Sequence, residues 1–351
     1  MFNTRLIASA AIALFLSACA TAAPVSAPAA SQSPPPSATC QTDCITEFSP
    51  SSANGPFEPG VDSANGIAAG KDAVWFFEVN TNKIGRITVD GAISEFSIPG
   101  IPSVQGHLAV ATDGAVWFTE DRANKIVRLA ADGTIVEFVL PGGTGQILRS
   151  IVAGPNGDVW YLARGTNQIN HIDRAGVVTT SQVLPPLPTV GPGFPPNQGI
   201  GAGMCLGPDG AFWFVDTPAK KVGRWTAAGG VKEWDAGAPG PRIVAGPDGA
   251  LWFTESAINK IGRITTDGQL TEFALEDKAN PIGITAGPDG AVWFTEYGLS
   301  KIGRIAMDGQ ITLFTIPTAK STPFAVVTGP DGNIWFTGGA SGKIGRIRLK
   351  R

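Results

Sequence analysis

Gly287-Pro288-Asp289-Gly290-Ala291-Val292-Trp293-Phe294-Thr295-Glu296, followed closely by Lys301-Ile302-Gly303-Arg304-Ile305, is one copy of a pattern that runs along the chain. With the tryptophan as phase marker, the copies fall at Trp75, Trp117, Trp160, Trp213, Trp252, Trp293 and Trp335, in steps of 42, 43, 53, 39, 41 and 42 residues. Seven copies near that period are a repeat architecture, which has to be settled before any single motif is read. Within this copy Pro281 to Gly287 is a small apolar run, and Pro288-Asp289-Gly290 is a tight turn. Ala291 to Glu296 and Lys301 to Ala306 read as strands, and Asp308-Gly309 as the hairpin turn into Gln310 to Ile316. Four antiparallel strands per repeat predict an all-β fold, a β-propeller with seven four-stranded blades. Beyond the leader no stretch keeps a 3.6-residue apolar period over three turns, which excludes a helical solenoid.

The chain ends predict how the ring closes. The last repeat has strands at Phe324 to Gly329, Asn333 to Thr337 and Lys343 to Arg348, and no fourth. Ile45-Thr46-Glu47-Phe48 reads like the fourth strands Leu270-Thr271-Glu272-Phe273 and Ile93-Ser94-Glu95-Phe96. An N-terminal strand completing the last blade removes a free sheet edge.

Residues 1–18 place one charge, Arg5, before an apolar run from Leu6 to Leu16, the pattern of a signal peptide and too short for a membrane span. Leu16-Ser17-Ala18-Cys19 matches the bacterial lipobox, so Cys19 is the expected lipidation site; an ordinary secreted protein cut nearby is the alternative. Ala20 after the cysteine resembles the outer-membrane sorting pattern of a Gram-negative envelope lipoprotein, facing the periplasm or the cell surface. Residues 19–43 form an Ala/Pro/Ser-rich tether, and residues 44–351 a single propeller domain. Without the leader 25 Lys and Arg face 29 Asp and Glu, about −4, which is no nucleic-acid profile. A monomer that meets the membrane only through its lipid is expected. Cys40 and Cys44 are spaced for a small-loop disulfide, and Cys205 reads as a small buried hydrophobe. The long step holds a proline-rich insertion from Leu184 to Pro196, with Leu187 and Phe194, able to cover a channel mouth or to be a plain surface excursion.

A residue repeated around a ring holds blade to blade, whereas a site needs asymmetry. Arg86, Arg128, Arg224, Arg263, Arg304 and Arg346 share one phase, taken by His171 in blade 3; they are expected to pair with turn aspartates such as Asp113, Asp209, Asp248, Asp289 and Asp331. Three residues after the tryptophan stand Glu78, Glu120, Asp216, Glu255 and Glu296, broken by Ala163 and Gly338. Gathered at a channel mouth these carboxylates repel one another and need cations. Either Lys83, Lys125, Lys221, Lys260 and Lys301 serve, or a bound Mg²⁺ or Ca²⁺ does, with Glu296, Glu255 and Glu120 as ligands.

The repeat Gly-Pro-Asp-Gly-x-x-Trp-Phe-Thr-Glu with Lys-Ile-Gly-Arg-Ile resembles the virginiamycin B lyase (streptogramin lyase) family over residues 44–349. The resemblance implies a seven-bladed propeller that opens cyclic streptogramin B depsipeptides by elimination, with a histidine base and Mg²⁺. The family's histidine follows the proline that opens an inner strand, with a glutamate two residues before it and a metal-binding glutamate fourteen after it. Carried onto this chain, those places hold Ile282, Asn280 and Glu296. Only His107 and His171 are histidines, and His107, one position off that phase, is the candidate base. Two readings follow. One is a binding propeller that holds a peptide, glycan or small molecule in its funnel, with Gln105, His107, Arg149, Arg164, Gln198, Arg242 and Asn280 as contacts. The other is a metal-dependent lyase or a related propeller hydrolase. No phosphate loop, nucleotide fingerprint, serine-nucleophile motif or zinc spacing is present.

Overall fold

The computed structural model describes residues 44–50, 66–78, 83–98, 106–120, 123–141, 148–154, 156–163, 168–183 and 203–350. Every described residue belongs to one compact unit within Cys40–Arg351. The leader, Cys19, Cys40, the insertion at 184–196, Gln105, Arg164 and Gln198 lie outside the described residues.

The described residues form seven four-stranded antiparallel sheets, each with its strands in chain order from the first to the fourth, apart from the closing one. Each is one blade. In the sixth the strands are Pro281–Ala286, Val292–Glu296, Lys301–Ile305 and Ile311–Thr315, within a residue or two of the expected bounds. First strands of neighbouring blades touch around the ring, as in the Gly283 approach to the Phe324 carbonyl, so they line the centre. The closing sheet takes Ile45–Phe48 from the start of the chain and pairs it with Lys343–Ile347 in the register Ile45 to Ile347 through Phe48 to Ile344. Phe48 stacks on Trp335 at 5.6 Å, and Thr318 donates to Glu47 through both its N–H and its hydroxyl. The closing strand is therefore held by a ladder, a ring stack and a carboxylate tie.

The second strand of each blade is buried on both faces, as in Val292–Glu296, because it is covered by the blades on either side. One face carries the tryptophan. It stacks on the fourth-strand aromatic two places along the register: Trp252 on Phe273 at 5.3 Å, Trp293 on Phe314 at 5.1 Å, Trp213 on Trp234 at 5.2 Å. The indole N–H is a donor that needs an acceptor once buried. The turn aspartate supplies it and takes the arginine on its other oxygen. Asp248 accepts from Trp252 at 2.9 Å and Arg263 at 2.6 Å; Asp289 accepts from Trp293 at 3.1 Å and Arg304 at 2.7 Å. Asp209 does the same for Trp213 and Arg224. The expected arginine–aspartate pairing thus holds at Asp113, Asp209, Asp248 and Asp289. In blade 3 His171 bonds Asp158, two residues nearer the tryptophan than the usual turn acid. Arg346 departs from the expectation. It lies over the rings of Phe48 and Trp335 and donates to the Val89 carbonyl of blade 1, across the closing seam.

The opposite face explains the glycine of Ile-Gly-Arg-Ile. Gly303 pairs with Phe294, and a Cβ on it would stand 2.1 Å from the Phe294 ring. Gly85, Gly223, Gly262 and Gly345 sit under Phe76, Phe214, Phe253 and Phe336 in the same way. Gly303→Ala is therefore expected to cost about 1–3 kcal/mol. Urea unfolding should show the loss, and Phe294→Leu in the same chain should recover part of it by vacating the space over residue 303.

Candidate functional site

Within a blade the start of the inner strand meets the end of the second: Pro281 pairs with Glu296, and Leu148 with Ala163. The connections between blades arrive at this end, so here the chain presents its least repetitive residues around the central opening. Ser256, in the short turn after the second strand of blade 5, donates its hydroxyl to the Pro281 carbonyl, and Asn259 accepts the Asn280 N–H at 2.9 Å. Asn280 is partly exposed and holds a left-handed backbone, φ 45°, that the asparagine side chain tolerates. Ile282 follows, partly exposed. Tyr297, after the second strand of blade 6, meets Phe324 at the inner strand of blade 7 edge to face at 5.9 Å. Asn280 and Ile282, which flank Pro281, Tyr297, which follows its partner Glu296, and Phe324 are all partly exposed, and these four are called the shelf.

Beneath it lie carboxylates. Glu255 and Glu296 are fully buried, and Glu78, Glu120 and Asp216 nearly so. The lysines do not neutralise them as expected. Lys83, Lys125, Lys221 and Lys260 bond the fourth-strand acids Glu95, Glu137, Glu233 and Glu272 at 2.6–3.3 Å. Each lysine lies at the start of the third strand, two residues before the position that faces that acid, Gly85, Val127, Gly223 or Gly262. In blade 6 the fourth-strand place is Leu313, opposite Gly303, and Lys301 turns to Glu276 at 3.1 Å. Among the described residues neither oxygen of Glu296 has a hydrogen-bond partner. Burial pushes its carboxyl up to about 7, and the charge of Glu276 adds to the shift against that of Lys301. Glu255 is also raised to about 7, first by burial and further by Glu272, although its Oε1 accepts the Ala238 N–H at 3.1 Å. Burial raises Glu120 too. Asp216 is bound locally, by the Ala219 N–H at 3.0 Å.

As to the fit of a metal, among the described residues no three His, Cys, Asp or Glu side chains gather as a cation site. Glu120, Glu255 and Glu296 belong to three different blades and are not brought together as a ligand set. No chemical step is therefore derived through a metal.

His107 is fully buried, and its backbone N–H donates to the Thr119 hydroxyl at 2.9 Å. The same bond is made by Gly283 to Thr295 and by Ala325 to Thr337. This fixes the phase: His107 corresponds to Gly283, one residue past Ile282. At that phase a Cβ on Gly283 would meet the neighbouring inner strand, 2.7 Å from the Phe324 carbonyl. It is a packing position between inner strands rather than an open one. His171 lies on the third strand, held by Asp158 at 2.7 Å and set against Trp160. Arg242 shares the phase of His107, since its carbonyl accepts the Thr254 N–H as that of His107 accepts Thr119's. It too is buried and bonds the Pro241 carbonyl at 3.2 Å. Arg149 pairs with Leu162 in the inner strand of blade 3, and its side chain lies outside the described residues. Cys44 is disulfide-bonded to a partner outside the described residues, whereas Cys205 is a free thiol pushed up to about 12 by burial, and so an unreactive one.

A family-wide sequence profile described as the virginiamycin B lyase family matches residues 41–189 and 192–351. The chain belongs to the virginiamycin B lyase family. A solved streptogramin B lyase is 34% identical, with 87% of this chain and 97% of that one covered and a TM-score of 0.74. Virginiamycin B lyase of Staphylococcus aureus is 34% identical over 87% of this chain and 99% of its own, again with a TM-score of 0.74. A catalytically inactive histidine-to-alanine form of that S. aureus enzyme, solved with quinupristin, is 33% identical over 87% and 99%, with a TM-score of 0.74. No curated protein matches the chain.

Sequence reading missed Tyr297, Phe324 and Ser256. The signal was available: Tyr297 directly follows Glu296 and is one of only two tyrosines in the chain. The buried acids also set a pH dependence. Glu255 and Glu296 hold their protons to about 7 when folded and release them near 4.5 when unfolded. Between those values the unfolded chain binds fewer protons, so stability falls as pH rises through this window and levels off above it. The loss is on the order of 2–3 kcal/mol per group. Glu296→Gln is expected to raise Tm by roughly 5 °C at pH 8 in EDTA and hardly at pH 4.5; calorimetry at the two pH values checks it.

Proposed function

We propose that this family member is a lipid-anchored, extracytoplasmic propeller that binds a peptide, glycan or small molecule in its central funnel and does not turn it over by the family's elimination. The carrying observation is Ile282, a side chain with no titratable group, where the resemblance puts the base. Neither histidine compensates from where it stands, His107 being packed between inner strands and His171 held by Asp158. Removing a proton α to a carbonyl needs a base within hydrogen-bond reach of it. Glu296 keeps its place fourteen residues after Ile282 but lies fully buried beneath the shelf. The shelf of Ile282, Tyr297 and Phe324, with Asn280 as its polar group, suits a ligand with apolar side chains and amide groups. The lipobox and the tether support placement in the cell envelope.

The alternative is a metal-dependent carbon–oxygen lyase opening a cyclic depsipeptide. The 34% identity with streptogramin B lyases over nearly their whole length favours it. Isothermal titration of quinupristin into the protein, with Mg²⁺ and with EDTA, is expected to give saturable binding indifferent to metal. Phe324→Ala and Tyr297→Ala are each expected to weaken it about tenfold, the weight of one aromatic contact. Affinity unchanged in both variants would move the ligand off this shelf. The absence of binding by folded protein would remove cyclic depsipeptides as its ligands.

A further inference from the structure

At the opposite end of the blades from the shelf, the turn between the first and second strands is shorter in blade 1 than elsewhere. Gly70-Lys71-Asp72-Ala73 stands where blade 6 has Gly287-Pro288-Asp289-Gly290-Ala291. The closing bond confirms the difference: the Gly70 N–H donates to the Ala73 carbonyl, whereas the Gly287 N–H donates to that of Ala291. One residue fewer moves the aspartate relative to the indole. Asp72 still bonds Arg86 at 2.6 Å, but nothing among the described residues accepts the Trp75 N–H. In blades 4 to 7 the turn aspartate accepts that proton at 2.9–3.1 Å. The Trp117 indole of blade 2 also lacks an acceptor, but it is sealed in the core. Trp75 instead borders a cavity of about 610 Å³ between blades 1 and 2. That volume is in the range of small-ligand sites, about 300–1,000 Å³.

Lys71, Arg86, Ser94 and the Trp75 N–H bring donors to this cavity, against the single carboxylate of Asp72. Trp75 and Phe96, with ring centroids 5.5 Å apart, give it an aromatic wall, and Val110 and Ala131 of blade 2 line it from the other side. The Arg86 guanidinium lies 5.8 Å from the Trp75 ring centre. Its partner Asp72 is 72% exposed, so the pair is a solvated one that an incoming anion displaces at little cost. We infer that this cavity is a second binding site, for a small organic carboxylate with an apolar body. The carboxylate takes the Arg86 fork and the Lys71 amine, the Trp75 N–H supplies a further donor, and the body lies along Trp75 and Phe96.

The test uses the full chain with 2-naphthoate as probe and neutral 2-naphthamide beside it, read by titration calorimetry and saturation-transfer NMR. Naphthoate is expected to bind saturably and the amide about tenfold more weakly or not at all. Lys71→Gln changes an exposed side chain and leaves the core untouched; it and Arg86→Gln are each expected to weaken naphthoate about tenfold. Arg263→Gln, which alters the equivalent clamp in blade 5, is expected to leave binding unchanged. The inference is overturned if naphthoate does not bind to millimolar concentration. Equal binding of acid and amide, or unchanged affinity in the folded Lys71→Gln protein, also overturns it.

Discussion

The closing sheet takes one strand from the start of the chain and three from its end, and the ring exists only while that strand stays paired. Each blade covers the second strand of its neighbour, so no blade buries its own apolar faces alone. Opening the seam would bare Trp335 and Phe48 and expose two sheet edges at once. The chain puts more than a ladder there. Glu47 is tied to Thr318, and Arg346, alone of its phase, reaches over to blade 1 instead of pairing with the turn acid of its own blade. The arginine that looks identical in sequence thus serves blade-internal pairing in blades 1, 2, 4, 5 and 6 and the seam in blade 7.

The fold was legible because its determinants are local and repeated. The turn aspartate, the tryptophan and the arginine form one hydrogen-bonded unit within a single blade, and the glycine opposite the second-strand phenylalanine is dictated by a direct clash. The pairing of Arg263 with Asp248 could be assigned without knowing what lies beyond the blade, whereas the Trp252 bond to Asp248 and the place of Gly262 under Phe253 emerged only from the register. The Thr46-Glu47-Phe48 segment announced itself as the missing strand because fourth strands share its pattern.

The candidate site was less legible because its chemistry depends on which face a side chain takes and on what the next blade does. The lysines and the second-strand acids are paired in register, yet Lys83, Lys125, Lys221 and Lys260 extend to the fourth-strand acids and Lys301 to Glu276, so that Glu296 is left to burial. The Glu of Ser94-Glu95-Phe96 was in plain view as a strand signature, but its bond to Lys83 follows from register and reach. His107 is displaced by one residue from the family's catalytic phase, and in a strand one residue exchanges the two faces. That single step is the difference between an opening and a packed interface. The proposals made for this molecule accordingly rest on departures from the repeat: Ile282 in blade 6, the shortened turn in blade 1, and the aromatic pair of Tyr297 and Phe324.

In the function proposed above, the family scaffold is kept without its proton-abstracting group. The most direct measurement is prolonged incubation of the protein with quinupristin and Mg²⁺, followed by chromatography and tandem mass spectrometry, beside an Ile282→His variant. An open-chain product keeps the mass of the ring but fragments differently, so the two are distinguishable. The unaltered protein is expected to return the cyclic compound intact, with any ring opening only in the variant. Ring opening by the unaltered protein at an enzymatic rate would contradict the proposal.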